Sequence, residues 1–213
     1  MSMAGRFITL EGIEGVGKST QVALLSSHLA ARGVAHVLTR EPGGTPLAEN
    51  IRNLVLAGRE EALPATAELL LMFAARSVHL KNYVEPNLEA GRWVICDRFT
   101  DATYAYQGGG RRLAVDQISG LETLVQGSLR PDLTILLDVP VGEALSRAAA
   151  RNAGSPADRF ESERSEFFER VRACYLARAA AEPQRIAVID AGLSVDEVSA
   201  QILNRLKARS WIS

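Results

Sequence analysis

Gly12-Ile13-Glu14-Gly15-Val16-Gly17-Lys18-Ser19 has the spacing G-x-x-x-x-G-K-[S/T] of a phosphate-binding loop. The residues before it, Phe7–Glu11, read as a short strand, and Thr20–Ala31 after it as an amphipathic helix. The glycines permit backbone conformations and close approaches that a Cβ forbids. The loop N–H groups and the positive end of the following helix then face anionic oxygens. Lys18 adds a mobile cation for a β- or γ-phosphate, and the Ser19 hydroxyl is a hard oxygen ligand for Mg²⁺.

Outward from this loop, apolar runs alternate with helical patterns. Strands are expected at Phe7–Glu11, His36–Thr39, Trp93–Asp97, Leu133–Asp138 and Ile186–Asp190, most of them short and nearly all apolar. Helices are expected at Gln21–Arg32, Leu47–Leu56, Ala65–Ala90, Val115–Gln126, Gly142–Arg151, Glu163–Ala181 and Val195–Arg209. Repeated β–α units imply an α/β fold with a parallel sheet between two helical layers and right-handed crossovers. Ligands then belong at the carboxyl ends of the strands. The clusters Gly12–Ser19, Arg40–Thr45 and Arg98–Thr103 follow three of these strands and should converge in one cleft. Pro86 should kink the long third helix or mark its last turns.

The 213 residues fit one domain, 1–213, with a small mobile segment. A chain of this size buries roughly 70% of its unfolded surface and requires no disulfide or metal staple. Cys96 and Cys174 have no metal-ligand spacing, and Cys96 reads as a small core residue. A net charge of −1 argues against bulk binding to nucleic acid or a membrane surface. No stretch approaches 18 apolar residues and no apolar leader segment precedes Phe7, so the reading expects no transmembrane helix and a cytoplasmic address. His28, His36 and His79 form no metal-like set and read as surface or partly buried residues.

Asp97-Arg98 is either a surface ion pair at a strand end or, beside a phosphate loop, a carboxylate for Mg²⁺ and a guanidinium fork for phosphate. Tyr106-Gln107-Gly108-Gly109-Gly110-Arg111 reads equally as a flexible turn or as a flat face and a two-sided amide for a planar base. Phe73 and Arg76, at i and i+3, share a helix face; taken alone they are a core aromatic and a solvent arginine. Arg147, Arg151 and Arg159 bracket the flexible stretch Asn152–Ala157. They form either a basic solvated face or an arginine-rich lid over about 147–160. A phosphoryl transfer needs such a lid, because the phosphate loop carries no arginine of its own.

With these segments in hand, the chain resembles the bacterial thymidylate kinases from Phe7 to about Leu206. The resemblance rests on Glu11–Ser19, Thr39-Arg40-Glu41-Pro42-Gly43-Gly44-Thr45, Asp97-Arg98, Ala105-Tyr106-Gln107-Gly108-Gly109-Gly110-Arg111 and Arg130-Pro131-Asp132. It implies a P-loop fold with a five-stranded parallel core, a homodimer, and transfer of the ATP γ-phosphoryl to dTMP with Mg²⁺. It also implies an ATP site at Gly12, Ile13, Glu14, Gly15, Val16, Gly17, Lys18, Ser19 and Thr20, with Ser19 and Asp97 toward the metal. Glu14 would touch the sugar 3′-hydroxyl of the monophosphate and Arg98 its phosphate, with Glu41 and Pro42 nearby. Phe73 would cover thymine, Arg76 would hydrogen-bond it, Thr103 and Gln107 would lie near the ring, and Tyr106 would wall off the sugar. Many relatives place the stacking aromatic four residues before the arginine, where this chain has Met72, and one helical turn presents either Met72 or Phe73. The cation for the moving phosphoryl would come from among Arg147, Arg151 and Arg159. The rival readings are a kinase for AMP, GMP or UMP, and a nucleotide switch, for which Arg76, Arg98 and Gln107 have no evident use.

Overall fold

The computed structural model describes residues 5–58, 60–151, 159–160 and 163–213. Five parallel strands, β1 (Phe7–Glu11), β2 (His36–Arg40), β3 (Trp93–Asp97), β4 (Leu133–Asp138) and β5 (Ile186–Asp190), form one sheet in the order β2-β3-β1-β4-β5. The central strands β1 and β4 are buried along almost their whole length, as their unbroken apolar runs require. The edge strand β2 alternates instead, and Leu38 faces outward.

Each face of the sheet has its own helical cover. Ile8, Leu10, Trp93 and Ile95 pack with Leu25 and Leu29 of α1 (Lys18–Ala31) and with Ile202 and Leu206 of α9 (Val195–Ala208). Phe7, Val94 and Cys96 point the other way, toward Leu80, Val84 and Phe99. Registry brings the strand ends level: Arg40 lies opposite Asp97, and Asp97 opposite Leu10. The loops after β1, β2 and β3 therefore open on the same edge of the sheet.

The long third helix is interrupted. It runs as α3 (Ala65–His79), passes through a π-helical turn (Leu80–Val84), and resumes as α4 (Glu85–Glu89). Pro86 has no N–H to offer the preceding turn, and the hydrogen-bond register changes just before it.

The glycine-rich segment is helical, which the sequence did not reveal. After α5 (Thr100–Thr103), Tyr104–Gly110 form a second π-helical stretch. Gly109 and Gly110 face α8 (Ser165–Ala181). A Cβ on Gly109 would stand 2.8 Å from Cys174 Cβ and 2.9 Å from the Arg170 carbonyl, and one on Gly110 would overlap the Phe167 ring. These two glycines allow close contact between elements rather than a flexible turn. The remaining helices are α2 (Pro46–Leu56), α6 (Val115–Gln126) and α7 (Val141–Arg151). Asn152–Ala157, expected as the centre of a lid, lie outside the described residues.

Candidate active site

Two adjoining clefts open at the carboxyl ends of β1, β2 and β3. The first, of about 760 Å³, is bordered by Gly15, Gly17, Lys18, Ser19, Asp97 and Arg151. The second, of about 600 Å³, is bordered by Met72, Arg76, Thr103, Tyr106, Gln107 and Phe160. Glu14, Glu41, Arg52 and Arg98 line both.

Local chemistry builds the first cleft. Helix α1 has Gly17 at its N-cap, with no side chain capping its first N–H groups and no acidic residue in its first turn. Those donors are left for an anion. Gly15 has φ +81°, and a Cβ there would overlap the Ala144 carbonyl of α7. Lys18 Nζ donates to the carbonyls of Gly12 (3.1 Å) and Ile13 (2.9 Å), which holds the loop open around the ammonium. Burial pushes the Lys18 pKa down, as does Arg98. Ile13 and Val16 turn their side chains into the core, so they offer only backbone here. Thr20 is exposed in the first turn of α1.

Arg98 joins the clefts. Its φ of +71° is rare for a side chain of this size. Its Nη1 donates to the Gly12 carbonyl (2.8 Å) and its Nη2 to Glu14 Oε1 (2.6 Å), while the guanidinium lies 4.8 Å above the Tyr106 ring. Burial alone would raise the Glu14 pKa, but Arg98 and Lys18 outweigh it and bring the carboxyl to about 2. Arg151 lies 3.7 Å from the other Glu14 oxygen.

The second cleft is built on a buried triad. Arg76 Nε donates to Glu41 Oε2 (2.7 Å), and His79 Nδ1 donates to Glu41 Oε1 (2.9 Å). The second His79 ring nitrogen lies 2.6 Å from Thr39 Oγ1. Arg76 Nη2 donates to Thr103 (2.9 Å). Burial would raise the Glu41 pKa, but Arg76 and His79 draw it below the usual carboxylate range. His79, expected at the surface or partly buried, is fully buried. The signal for it was Glu41, a residue 38 positions upstream that only the fold brings near.

Of six buried side-chain atoms with no hydrogen-bond partner among the described residues, three stand at the clefts: Arg76 Nη1, Asp97 Oδ1 and the Tyr106 hydroxyl. Each belongs to a residue lining one of the clefts. Unpaired buried polar atoms are costly, and at such positions they mark where a ligand is received. Asp97 Oδ1 and the exposed Ser19 hydroxyl are the oxygen donors suited to a hard divalent cation here. Among the described residues no group of three or more His, Cys, Asp or Glu side chains converges on a metal.

A family model described as thymidylate kinase matches residues 10–202. The chain belongs to the thymidylate kinase family. Its curated relatives include thymidylate kinases of Chromohalobacter salexigens, 59% identical over 97% of this chain and 98% of that one, and of Teredinibacter turnerae, 56% identical over 97% and 99%. The solved crystal structure of thymidylate kinase from Ehrlichia chaffeensis matches with a TM-score of 0.76 at 34% identity, covering 95% of this chain and 99% of that one.

Within this thymidylate kinase fold, several expected residues lie elsewhere. The sequence left either Met72 or Phe73 to cover the base, and Phe73 does not border the cleft. It is only 2% exposed, packs with Leu69, Tyr104 and Ile118, and supports the Arg76 guanidinium, 4.8 Å from its ring. Met72, on the neighbouring face of α3, lines the cleft in its place. Of the three expected lid arginines, only Arg151 borders a cleft. Arg147 donates to the Ala191 carbonyl (2.8 Å) and to Glu143. Arg159 donates to the Val55 carbonyl (3.1 Å) and to Glu68. Sequence reasoning missed Arg52, Phe160 and Glu68. Arg52 follows no strand end, and Phe160 and Glu68 stand in no motif.

Proposed function

We propose that the chain transfers the γ-phosphoryl of ATP to dTMP, giving dTDP and ADP on the route to dTTP. The observation that carries this reading is the junction: a phosphate-loop cleft and a base-sized cleft share Glu14, Glu41, Arg52 and Arg98. Two nucleotides seated there meet phosphate to phosphate. The acceptor phosphate oxygen is already anionic, so no strong base is required, and catalysis is alignment and charge stabilisation.

Lys18 and the loop N–H groups hold the donor phosphates. Arg98 holds the acceptor phosphate, and Glu14, kept ionised by Arg98 and Lys18, is poised to accept a hydrogen bond from the sugar 3′-hydroxyl. Arg151 is the lid-side cation for the moving group. Arg76 donates its unpaired Nη1–H to the base, Thr103 and Gln107 flank the base, Met72 lies against its ring, and Tyr106 walls the sugar. Ser19 and Asp97 would hold Mg²⁺, which offsets charge on the donor phosphates when bound. The chain acts as a single domain in the cytoplasm, as a homodimer. Exposed Leu47 and Leu54 of α2, Leu70 of α3 and Leu124 of α6 supply an apolar surface for the second copy. No described helix is long and apolar enough to cross a membrane.

A binding titration tests the substrate. With Mg²⁺ and a non-hydrolysable ATP analogue present, dTMP should bind at least ~100-fold tighter than AMP, because adenine offers no carbonyl oxygen to the Arg76 guanidinium. Equal or tighter AMP binding refutes the assignment.

A further inference from the structure

Glu68, on α3 two turns before Arg76, is fully buried yet lines neither cleft. One of its oxygens accepts from Gln107 Nε2 at 2.6 Å. The other accepts from Arg111 Nε at 3.3 Å and from Arg159. With two guanidiniums on it, this carboxylate has acceptors to offer and no donor. The amide of Gln107 therefore has one orientation: its NH₂ end faces Glu68, and its carbonyl oxygen is the end left for the cleft that Gln107 lines.

We propose that Glu68 is a positioning residue that sets the hydrogen-bond polarity of the base pocket, so that the pocket accepts a pyrimidine carrying an N3–H donor and rejects one whose N3 is an acceptor. This rests on the reading of the cleft as the dTMP site. Arg76 Nη1 supplies a donor there and Gln107 Oε1 an acceptor. That pair complements the O4 and N3–H edge of thymine or uracil. Against cytosine it sets donor against donor and acceptor against acceptor. Glu68 also steadies the cleft wall, because Arg159 lies 5.0 Å from the ring of Phe160, which lines the same cleft.

Glu68→Gln tests this with an almost isosteric side chain. The two arginines claim the new amide's oxygen, since charge-assisted bonds are roughly twice as strong as neutral ones. Its NH₂ end then faces Gln107, which must turn over and present a donor to the cleft. The expected result is a fall of about 100-fold in kcat/KM for dTMP, carried by KM, with no matching fall for dCMP. Glu68→Asp, still an acceptor only, should keep the dTMP:dCMP preference even if KM rises. Equal losses on both nucleotides in Glu68→Gln, or an unchanged preference, overturn the proposal while leaving the dTMP assignment intact. A wild-type protein that does not prefer dTMP overturns both. A neutron structure of the wild-type protein needs no variant and reads the amide directly. Deuterium on the Gln107 atom facing Glu68 supports the proposal, and oxygen there overturns it.

Discussion

Replacing Arg98 by alanine removes one of the four side chains that border both clefts. Four contacts go with it: the bonds to the Gly12 carbonyl, Glu14 and the Tyr175 hydroxyl, and the packing over Tyr106. Loss of one preorganised donor at a developing charge costs ~10²–10³ in kcat, or about 3–4 kcal/mol of the barrier. A second consequence is a pH effect on stability. Glu14 is depressed from 4.5 to about 2, and after burial Arg98 is the largest influence on it. Its contribution is present above pH 4.5 and lost as pH falls toward 2. By the usual conversion it is at most roughly 3 kcal/mol, and less for a side chain 28% exposed. Arg98→Ala should therefore flatten the acid limb of the stability curve as well as slow turnover. Arg98→Gly is the folding control: position 98 has φ +71°, so glycine relieves a backbone cost of ~1 kcal/mol that alanine retains. Steady-state ADP release coupled to NADH oxidation measures kcat, and thermal melts between pH 2.5 and 7 measure the linkage. A folded Arg98→Ala or Arg98→Gly protein within tenfold of wild-type kcat refutes the role given to this residue.

Arg151→Ala should lower kcat by at least ~100-fold, whereas Arg147→Ala, whose guanidinium is bound to Ala191 and Glu143, should change it less than ~10-fold; single-turnover rates for the two variants decide between them. Phe73→Ala should cost ~3–5 kcal/mol in urea unfolding, because it empties a core site beneath Arg76, while Met72→Ala should chiefly raise the KM for dTMP. Gly110→Ala should destabilise by ~1–3 kcal/mol, since its methyl group would overlap Phe167; the melting temperature should fall.

The sheet was legible because its strands are continuous apolar runs, a signal that depends on neighbours in sequence. Four of the five strand ranges match residue for residue, and β2 extends only to Arg40. The phosphate loop and its helix were legible for the same reason. What escaped the sequence depends on distant partners. Tyr106–Arg111 read equally as a flexible turn or a face for a planar base, and not as helix, because glycine is a poor helix former. The chain keeps Tyr104–Gly110 helical because Cys174 and Phe167, more than 50 residues away, leave no room for side chains there. The phase of α3 was ambiguous by one residue, and only the packing of Ile118 and Tyr104 around Phe73 turns Met72 to the cleft. Spacing alone grouped Arg147, Arg151 and Arg159, and their separate partners at Ala191, Glu14 and Glu68 divide them.

The most direct test of a shared phosphate junction is ADP formation from ATP and Mg²⁺ with and without an acceptor. ADP release should rise at least ~100-fold on adding dTMP, match dTDP produced mole for mole, and stay near the basal rate with AMP. Equal ADP release without any monophosphate, or stimulation by AMP above that by dTMP, would contradict it.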